Sequence, residues 1–265
     1  MSDLHYCQYA FARPECRVKE IGRGVDPHYN VELVREGPIA AVISRVSLDR
    51  FSPARLQGKT AEDIQWLGEV AARYNEIICQ AASGSAVLPL RLGTLFRSLD
   101  SLRATLVRCR STVAEFLQQL GDRQEWGVKL YLAKLRMEAM PGHKGLPPPH
   151  YLNQPQTGTA YLTRKKAQLD GRRELRAAAY RSIQTVEQRL TGIAEHCCRI
   201  RNLSGELTGR SEEMVFNAAY LLSSSGKDEW LNALDDISRD IHDKGLLLEV
   251  SGPWPPYHFC PKLEL

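Results

Sequence analysis

Histidine and cysteine side chains offer versatile chemistry, and this chain places only a few of them close together. His196 directly precedes Cys197 and Cys198, and His143 and His150 lie seven residues apart in a segment rich in proline and glycine. No Cys-x-x-Cys pair accompanies them, which is the spacing that many structural zinc sites use. On a helix, consecutive side chains point about 100° apart, so we expect His196 and the two cysteines to diverge. The spacing therefore predicts no metal site.

Catalytic motifs are also missing from the sequence. It contains no Gly-x-Ser-x-Gly elbow, no Walker A loop and no His-Glu-x-x-His, the arrangements that activate a serine, cradle a phosphate or hold a catalytic zinc ion. Gly22–Gly24 matches half of a phosphate loop, but a turn explains it better because no strand, third glycine or helix accompanies it. Asp235, Asp236 and Asp240 fall on the solvent side of a predicted helix. We therefore expect no catalytic residue, no cofactor and no enzymatic activity.

Positive charge is concentrated in one part of the chain. Between Thr159 and Arg201 there are ten Lys or Arg residues against four Asp or Glu residues, a net charge of +6, whereas the whole chain carries +4. Such a segment can bind phosphates or an acidic protein surface, or it can simply be the solvated face of a helix. Nucleic-acid binders usually interleave aromatic residues, and only Tyr161 and Tyr180 lie nearby. The candidate partner-binding residues are Arg164, Lys165, Lys166, Arg172, Arg173 and Arg176.

The composition as a whole is that of a soluble globular protein with room for two domains. The chain has 265 residues, of which 43% are hydrophobic and 25% charged. No apolar run approaches the roughly 18 residues that span a bilayer, and the first residues do not form a signal peptide. An odd number of cysteines, seven, favours free thiols in a reducing compartment. We therefore expect a cytoplasmic protein that does not bind a membrane.

Periodicity predicts an N-terminal α+β domain over residues 1–122. Its order is β-β-β-α-β-α, with Thr60 and Ser98 as helix caps and Gly121 as a stop signal. Pro89 suggests that the fourth strand lies at a sheet edge or at a bulge. The predicted elements are strands Leu4–Ala10, Tyr29–Arg35 and Ile39–Val46, helix Thr60–Ala81, strand Val87–Leu92 and helix Leu99–Leu120.

The remaining residues, 123–265, predict a second α+β domain with a Pro-rich loop at 141–155. Its order, β-α-β-β-α-β, is that of a ferredoxin-like domain, and it includes the long basic helix. The apolar residues in the second half of that helix follow a heptad pattern, which is typical of a coiled coil. The pattern is too short to indicate one, so we favour packing of the helix across a sheet. The predicted elements are strand Trp126–Leu132, helix Thr159–Arg201, a weak strand Ile200–Leu207, strand Phe216–Leu222, a helix capped by Ser225 and strand Leu246–Val250.

The chain closes with a segment, 252–265, in which prolines alternate with aromatic residues. Three prolines fix the backbone, and the rings offer a large apolar surface at little cost in conformational entropy. The segment either presents this surface to a partner or seals the fold. Its characteristic residues are Gly252, Pro253, Trp254, Pro255, Pro256, Tyr257 and Phe259, with His258 between the last two.

This closing segment resembles the closing motif of the gas vesicle protein F/L family. Four other stretches are similar to family motifs in the same order, so the resemblance covers nearly the whole chain. Leu92 departs from the Phe that is usual in the family, and His258 from the usual Ser or Thr. The four stretches are Leu88–Phe96, Glu125–Lys129, Thr157–Leu162 and Phe216–Leu221.

The resemblance implies two α+β domains, the second ferredoxin-like, and a role in building gas vesicles. It implies a minor or accessory component, associated with gas vesicles, that binds the major shell protein during vesicle formation and possibly other accessory proteins. A nucleic-acid-binding or regulatory module that uses the basic helix is the alternative function.

Overall fold

The computed structural model describes residues 4–133 and 158–264. The chain divides into two compact units, Met1–Glu125 with Pro253–Leu265, and Trp126–Gly252. The predicted Pro-rich loop 141–155 lies outside the described residues. The sequence places the closing segment 252–265 in the second domain, but the structure groups it from Pro253 onward with the first unit. The physical reason is that Cys260 and Leu263 pack against an apolar core of that unit.

The first unit is built around an antiparallel sheet. Its strands run in the order β2-β3-β1-β4, and β5 also pairs with β1. Strand β4 therefore lies at an edge, the position that Pro89 favours because proline has no N–H to donate. The elements are β1 (Leu4–Ala12), β2 (Val31–Glu36), β3 (Ile39–Ser47), α1 (Pro53–Leu56), α2 (Ala61–Ala82), β4 (Val87–Pro89), β5 (Leu95–Phe96) and α3 (Leu99–Leu120).

Both faces of this sheet are buried, one against α2 and the other against α3. In β1 the pairing register shifts between Gln8 and Ala10. Because a bulge inserts one extra residue, the side chains beyond it change face. Tyr9 and Ala10 therefore both lie in the core on the α2 side, whereas Phe11 lies in the core on the α3 side.

The two long helices of this unit begin where the sequence predicts. Thr60 Oγ1 accepts from the N–H of Asp63 at 3.1 Å, and the Asp63 carboxylate accepts from the N–H of Thr60 at 3.2 Å. Ser98 and Ser101 form the same reciprocal pair at the start of α3. Each pair satisfies donors that a helix start otherwise leaves free. The buried face of α2 includes Val70 and Ile77, whereas Ile64 near its start is 62% exposed.

The Gly22–Gly24 turn packs against the buried hydroxyl of Tyr9. The hydroxyl of Tyr9 lies 2.6 Å from the hydroxyl of Ser44 and accepts from the N–H of Val25 at 2.9 Å. A Cβ on Gly24 would collide with the Ser44 side chain and lie 2.9 Å from the Tyr9 hydroxyl. Close packing therefore explains this glycine, and no phosphate loop is formed.

The second unit contains a four-stranded sheet in the order β7-β8-β6-β9. The long helices α4 and α6 pack against its strands in one apolar core, as the favoured interpretation of the heptad stripe predicts. Among the described residues, no helix is long and apolar enough to cross a membrane. The elements are β6 (Gln124–Leu132), α4 (Gly158–Ile193), β7 (His196–Arg199), α5 (Gly205–Thr208), β8 (Glu213–Leu222), a 3₁₀ turn (Ser224–Gly226), α6 (Lys227–His242) and β9 (Leu246–Trp254).

The end of the long helix is where the sequence prediction was wrong. The helix ends at Ile193 instead of Arg201, and the strand lies at His196–Arg199 instead of Ile200–Leu207. Strand β7 pairs antiparallel with Ala218–Leu221 of β8. Cys197 in this strand continues the heptad spacing of the helix. Periodicity alone therefore could not show where the helix ends.

The start of α6 also differs from its prediction. Ser225 lies within the 3₁₀ turn, and the α-helix begins at Lys227 after Gly226. Four large apolar side chains on one face of this helix are buried. They are Trp230, Leu234, Ile237 and Ile241.

A buried carboxylate joins the turn before β2 to the end of β3. The Asp26 side chain is 1% exposed, and it accepts from the N–H of Ser47 at 3.2 Å and from the N–H of His28 at 3.3 Å. Burial by itself raises the pKa of Asp26, but the hydrogen bonds from His28 and Ser47 and the charge of Arg50 lower it below its usual value. Because the native pKa is lowered, the carboxylate stabilises the fold above about pH 4, and this stabilisation is lost as the pH falls through the native pKa.

We expect Asp26→Asn to lower the free energy of unfolding by about 1–3 kcal/mol at pH 7, because a charged acceptor is replaced by a neutral one. The difference from the wild type should shrink as the pH falls below about 4. Urea denaturation at pH 7, and at a series of pH values from about 4 downwards, measures both effects. Asp49→Asn, at an exposed position in the same region, is the control. Equal losses in the two variants at pH 7 would contradict the assignment.

Candidate functional site

The six basic candidates lie on α4, in the second unit. All fall between Gly158 and Ile193 on this helix. Lys166 is exposed to solvent, and the side chains of the other five candidates lie outside the described part of the helix. The six candidates therefore lie on one continuous helix, as the sequence predicts.

The His–Cys–Cys sequence lies on strand β7 and not on a helix. Consecutive residues of a strand face opposite sides, so Cys197 and Cys198 still point apart. Cys197 is exposed and Cys198 is half-buried. Within residues 4–133 and 158–264 there is no group of three or more His, Cys, Asp or Glu side chains that could hold a metal ion. His143 and His150 lie outside these ranges.

Four cysteine thiols have raised pKa values, which makes them less reactive at neutral pH. Burial raises the pKa of Cys7 to about 12, and burial together with the nearby Glu125 carboxylate raises the pKa of Cys260 to about 12. Burial also raises the pKa of Cys16 and Cys79. A thiolate is the nucleophilic form of cysteine, so these four side chains are not activated for covalent chemistry at neutral pH.

The carboxylates of α6 form surface contacts. Asp235 and Asp240 are exposed, as predicted. Asp236 contacts the guanidinium groups of Arg189 and Arg239. The hydrogen bond from Arg189 and the two positive charges lower the pKa of Asp236. These groups therefore link α4 to α6 and do not form a general acid–base pair.

A shallow groove of about 560 Å³ lies between residues 15–20 and strand β2. Its floor includes Val18, Val31 and Leu33. Its rim carries three acidic and three basic side chains, so it offers no preference for a ligand of one charge. The rim residues are Glu15, Arg17, Lys19, Glu20, Glu32 and Arg35.

The closing segment is held in the first unit by a buried carboxylate. Glu125, whose side chain is 4% exposed, accepts from the backbone N–H of His258 at 2.8 Å and from His258 Nδ1 at 2.6 Å. A carboxylate can only accept, so Nδ1 carries the proton in this pair. The sequence marked Glu125 as part of a motif but did not reveal this contact, since the two residues are 133 positions apart.

Further contacts fix the segment on both sides of this anchor. The Tyr257 hydroxyl donates to Asn75 Oδ1 at 2.6 Å. The Sγ of Cys260 lies 3.0 Å from the carbonyl oxygen of Pro256. Burial raises the pKa of Tyr257, so its hydroxyl stays protonated and able to donate. The segment is thus tied to β6 through Glu125 and to α2 through Asn75.

The aromatic residues of the segment remain partly exposed. Pro255 and Pro256 are buried, but Trp254 and Tyr257 are each 38% exposed. An anchored backbone therefore presents two large rings to solvent, and this is the most distinctive surface of the segment. Aromatic rings on a pre-organised backbone are typical of protein-binding surfaces.

We expect Glu125→Ala to release the closing segment, because it leaves two donors of His258 without an acceptor. Removal of both hydrogen bonds should lower the free energy of unfolding by about 2–4 kcal/mol. Amide hydrogen exchange should rise selectively over residues 253–264. Glu76→Ala removes a half-exposed carboxylate that pairs with Arg73, and it should cost less than about 1 kcal/mol. Unchanged exchange in the closing segment of the Glu125 variant would show that the anchor is elsewhere.

Comparison with solved structures places this architecture among known folds. The crystal structure of the gas vesicle protein GvpF from Anabaena sp. PCC7120 matches with a TM-score of 0.68 at 16% identity, covering 98% of both chains. That of gas vesicle protein GvpF from Microcystis aeruginosa matches with a TM-score of 0.63 at 15% identity, covering 96% of this chain and 98% of the other. The shared fold is a mixed α+β fold with antiparallel sheets.

Sequence comparison agrees with the structural one. Gas vesicle protein L of Streptomyces sp. (strain CB03234) is 30% identical over 234 residues, which cover 86% of this chain and 82% of that protein. Gas vesicle protein F of the same strain is 24% identical over 237 residues, or 88% and 89% of the two chains. The family model described as gas vesicle synthesis protein GvpL/GvpF matches residues 6–261. This chain therefore belongs to the GvpL/GvpF family of gas vesicle proteins.

Proposed function

We propose that this protein is a non-catalytic accessory or minor component of gas vesicle assembly, cytoplasmic and associated with gas vesicles, that binds the major shell subunit during vesicle formation. Membership of the GvpL/GvpF family supports a role in gas vesicle formation. The observation that carries the binding proposal is the anchored closing segment, which leaves Trp254 and Tyr257 partly exposed.

The physical case for this surface rests on its low entropic cost. Binding orders flexible side chains, and each immobilised side chain costs roughly 0.5–1.5 kcal/mol. Here the prolines and the Glu125 anchor already hold the backbone, so the rings lose little freedom when they are covered. A shell-forming subunit must expose apolar surface before it is assembled, and exposed rings are suited to cover such a surface.

The basic segment of α4 supplies a different kind of contact. Helix α4 carries eight Lys or Arg residues against three Asp or Glu residues, and its net charge of +5 attracts an acidic surface through a long-range and salt-dependent interaction. This charge adds to the rate of encounter more than to the affinity. The same observation favours the alternative function, a nucleic-acid-binding or regulatory module, which would show the steep salt dependence of phosphate contacts.

We also propose that the second unit is a ferredoxin-like domain. Its principal elements follow the order β-α-β-β-α-β, and its sheet order β7-β8-β6-β9 supports this proposal. The short α5 and the 3₁₀ turn are additions to that pattern. A fold of this type does not by itself imply an activity.

We expect Trp254→Ala to weaken binding to the purified shell subunit by about tenfold or more, because a partly exposed ring at the centre of a contact is a typical hot spot. Leu207→Ala is the control, since Leu207 is a 74% exposed apolar residue on α5, outside both proposed contacts. Its affinity should stay within about twofold of the wild type. Co-purification from soluble and vesicle fractions, followed by titration of the purified proteins, measures both.

Failure of the wild-type protein to recover any shell subunit from either fraction would contradict the binding proposal. Full-yield vesicles in cells that lack this protein and every paralogue would contradict the role in assembly. For the alternative function, Arg172→Glu combined with Arg173→Glu should abolish binding to a random DNA duplex. Duplex binding that falls steeply with salt and is lost in this variant would favour that function instead.

A further inference from the structure

Helix α3 presents an exposed cationic face on the first unit. Arg103, Val107 and Arg110 occupy positions i, i+4 and i+7, which lie on one face of a helix. All three are exposed, and Val107 is 51% exposed. Within the described part of the chain, neither guanidinium group has a hydrogen bond or an ion pair. We call these three residues the basic triplet.

Helix α6 presents a face of opposite charge on the second unit. Asp228, Leu231 and Asp235 occupy positions i, i+3 and i+7 and are exposed, Leu231 by 38%. Neither carboxylate has a hydrogen bond or an ion pair among the described residues, although the carbonyl oxygen of Asp235 accepts from Arg239. We call these three residues the acidic triplet.

The whole of α6 reinforces the charge of its triplet. Between Lys227 and His242 the helix carries five acidic residues against two basic ones. Helix α3 carries three arginines against two acidic residues, and its third arginine, Arg108, is also exposed. The two faces therefore attract each other both through the triplets and through their surroundings.

The two triplets match when the helices run in opposite directions. Each spans eight residues, and the seven steps between its first and last residue cover about 10.5 Å along the helix axis. In the basic triplet the apolar residue lies four positions after the first charge, and in the acidic triplet it lies four positions before the second. An antiparallel alignment thus sets Arg103 opposite Asp235, Val107 opposite Leu231, and Arg110 opposite Asp228. A parallel alignment would set the two apolar residues out of register.

We propose that α3 of one copy of this protein docks antiparallel on α6 of another copy. Both faces are exposed to solvent. A second copy is the occupant that the observations favour, because it supplies both a charge of opposite sign and an apolar residue at the matching position. A nucleic acid would pair with the arginines but would leave Val107 and the acidic triplet unused.

The proposed contact joins two different surfaces, so it is heterologous. Such a contact repeats from copy to copy and builds a ring or an open row. Its charged pairs are solvent-accessible, and exposed pairs are individually weak and screened by salt. Association is therefore reversible, and it strengthens as the ionic strength falls. This inference concerns self-association and stands independently of shell-subunit binding.

Charge reversal with mixing tests this inference. One full-length variant carries Arg103→Glu and Arg110→Glu, and a second carries Asp228→Arg and Asp235→Arg. Sedimentation velocity at about 100 μM protein, a concentration suited to a small interface, should show wild-type association at low salt and monomers at high salt. Each variant alone should associate at least tenfold more weakly, because like charges then face each other. An equimolar mixture should regain wild-type association, since each variant supplies the charge that the other needs.

A matched control separates the triplets from a general effect of net charge. Arg17→Glu with Lys19→Glu makes the same change in charge at exposed positions of the first unit, and its association should equal that of the wild type. A wild-type protein that stays monomeric at low salt would overturn the inference. A mixture of the two variants that stays monomeric, or a control that loses association as well, would also overturn it.

The expected register is tested with single reversals, which also serve if a double variant does not fold. Arg103→Glu mixed with Asp235→Arg should associate at least threefold more tightly than Arg103→Glu mixed with Asp228→Arg, because only the first mixture restores an opposed pair. Equal recovery in the two mixtures would contradict the antiparallel alignment.

Discussion

The buried carboxylate of Glu125 is the constraint on which the arrangement of the closing segment depends. An ionised group with a 4% exposed side chain costs several kcal/mol unless donors surround it. The backbone and ring N–H groups of His258 provide these donors. Because they come from the far end of the chain, satisfying one side chain fixes the path of the last residues. The exposure of Trp254 and Tyr257 follows from that path.

The packing of the first unit depends on a related constraint. Its sheet is covered by a helix on each face, so every strand must divide its side chains between two cores. Strand β1 does this with a bulge at Gln8–Ala10, which places Tyr9 and Ala10 on the same side. The Tyr9 and Tyr74 hydroxyls are then buried, and nearby carbonyl, amide and hydroxyl groups satisfy them. Gly24 completes this arrangement because a side chain there would occupy the space of Ser44.

Local signals in the sequence predicted much of this fold, and long-range pairing accounts for the errors. Thr60, Asp63 and Ser98 act within one helical turn, so their capping contacts are visible in the sequence. The end of α4 is not, because the strand His196–Arg199 exists only through its pairing with β8. An apolar residue every three or four positions is compatible with both outcomes, and tertiary contacts decide between them. The basic segment could be predicted for the same reason as the caps, since its charge is local.

The contact of Glu125 with His258 shows why the closing motif could be recognised although its anchor could not. Half of the anchor is a backbone N–H, which every residue except proline provides, so no particular side chain at position 258 is required for it. The other half comes from the imidazole of His258, whose Nδ1 donates to the same carboxylate. The sequence therefore shows the prolines and aromatic residues around His258, but it does not show that a carboxylate 133 positions earlier holds them in place.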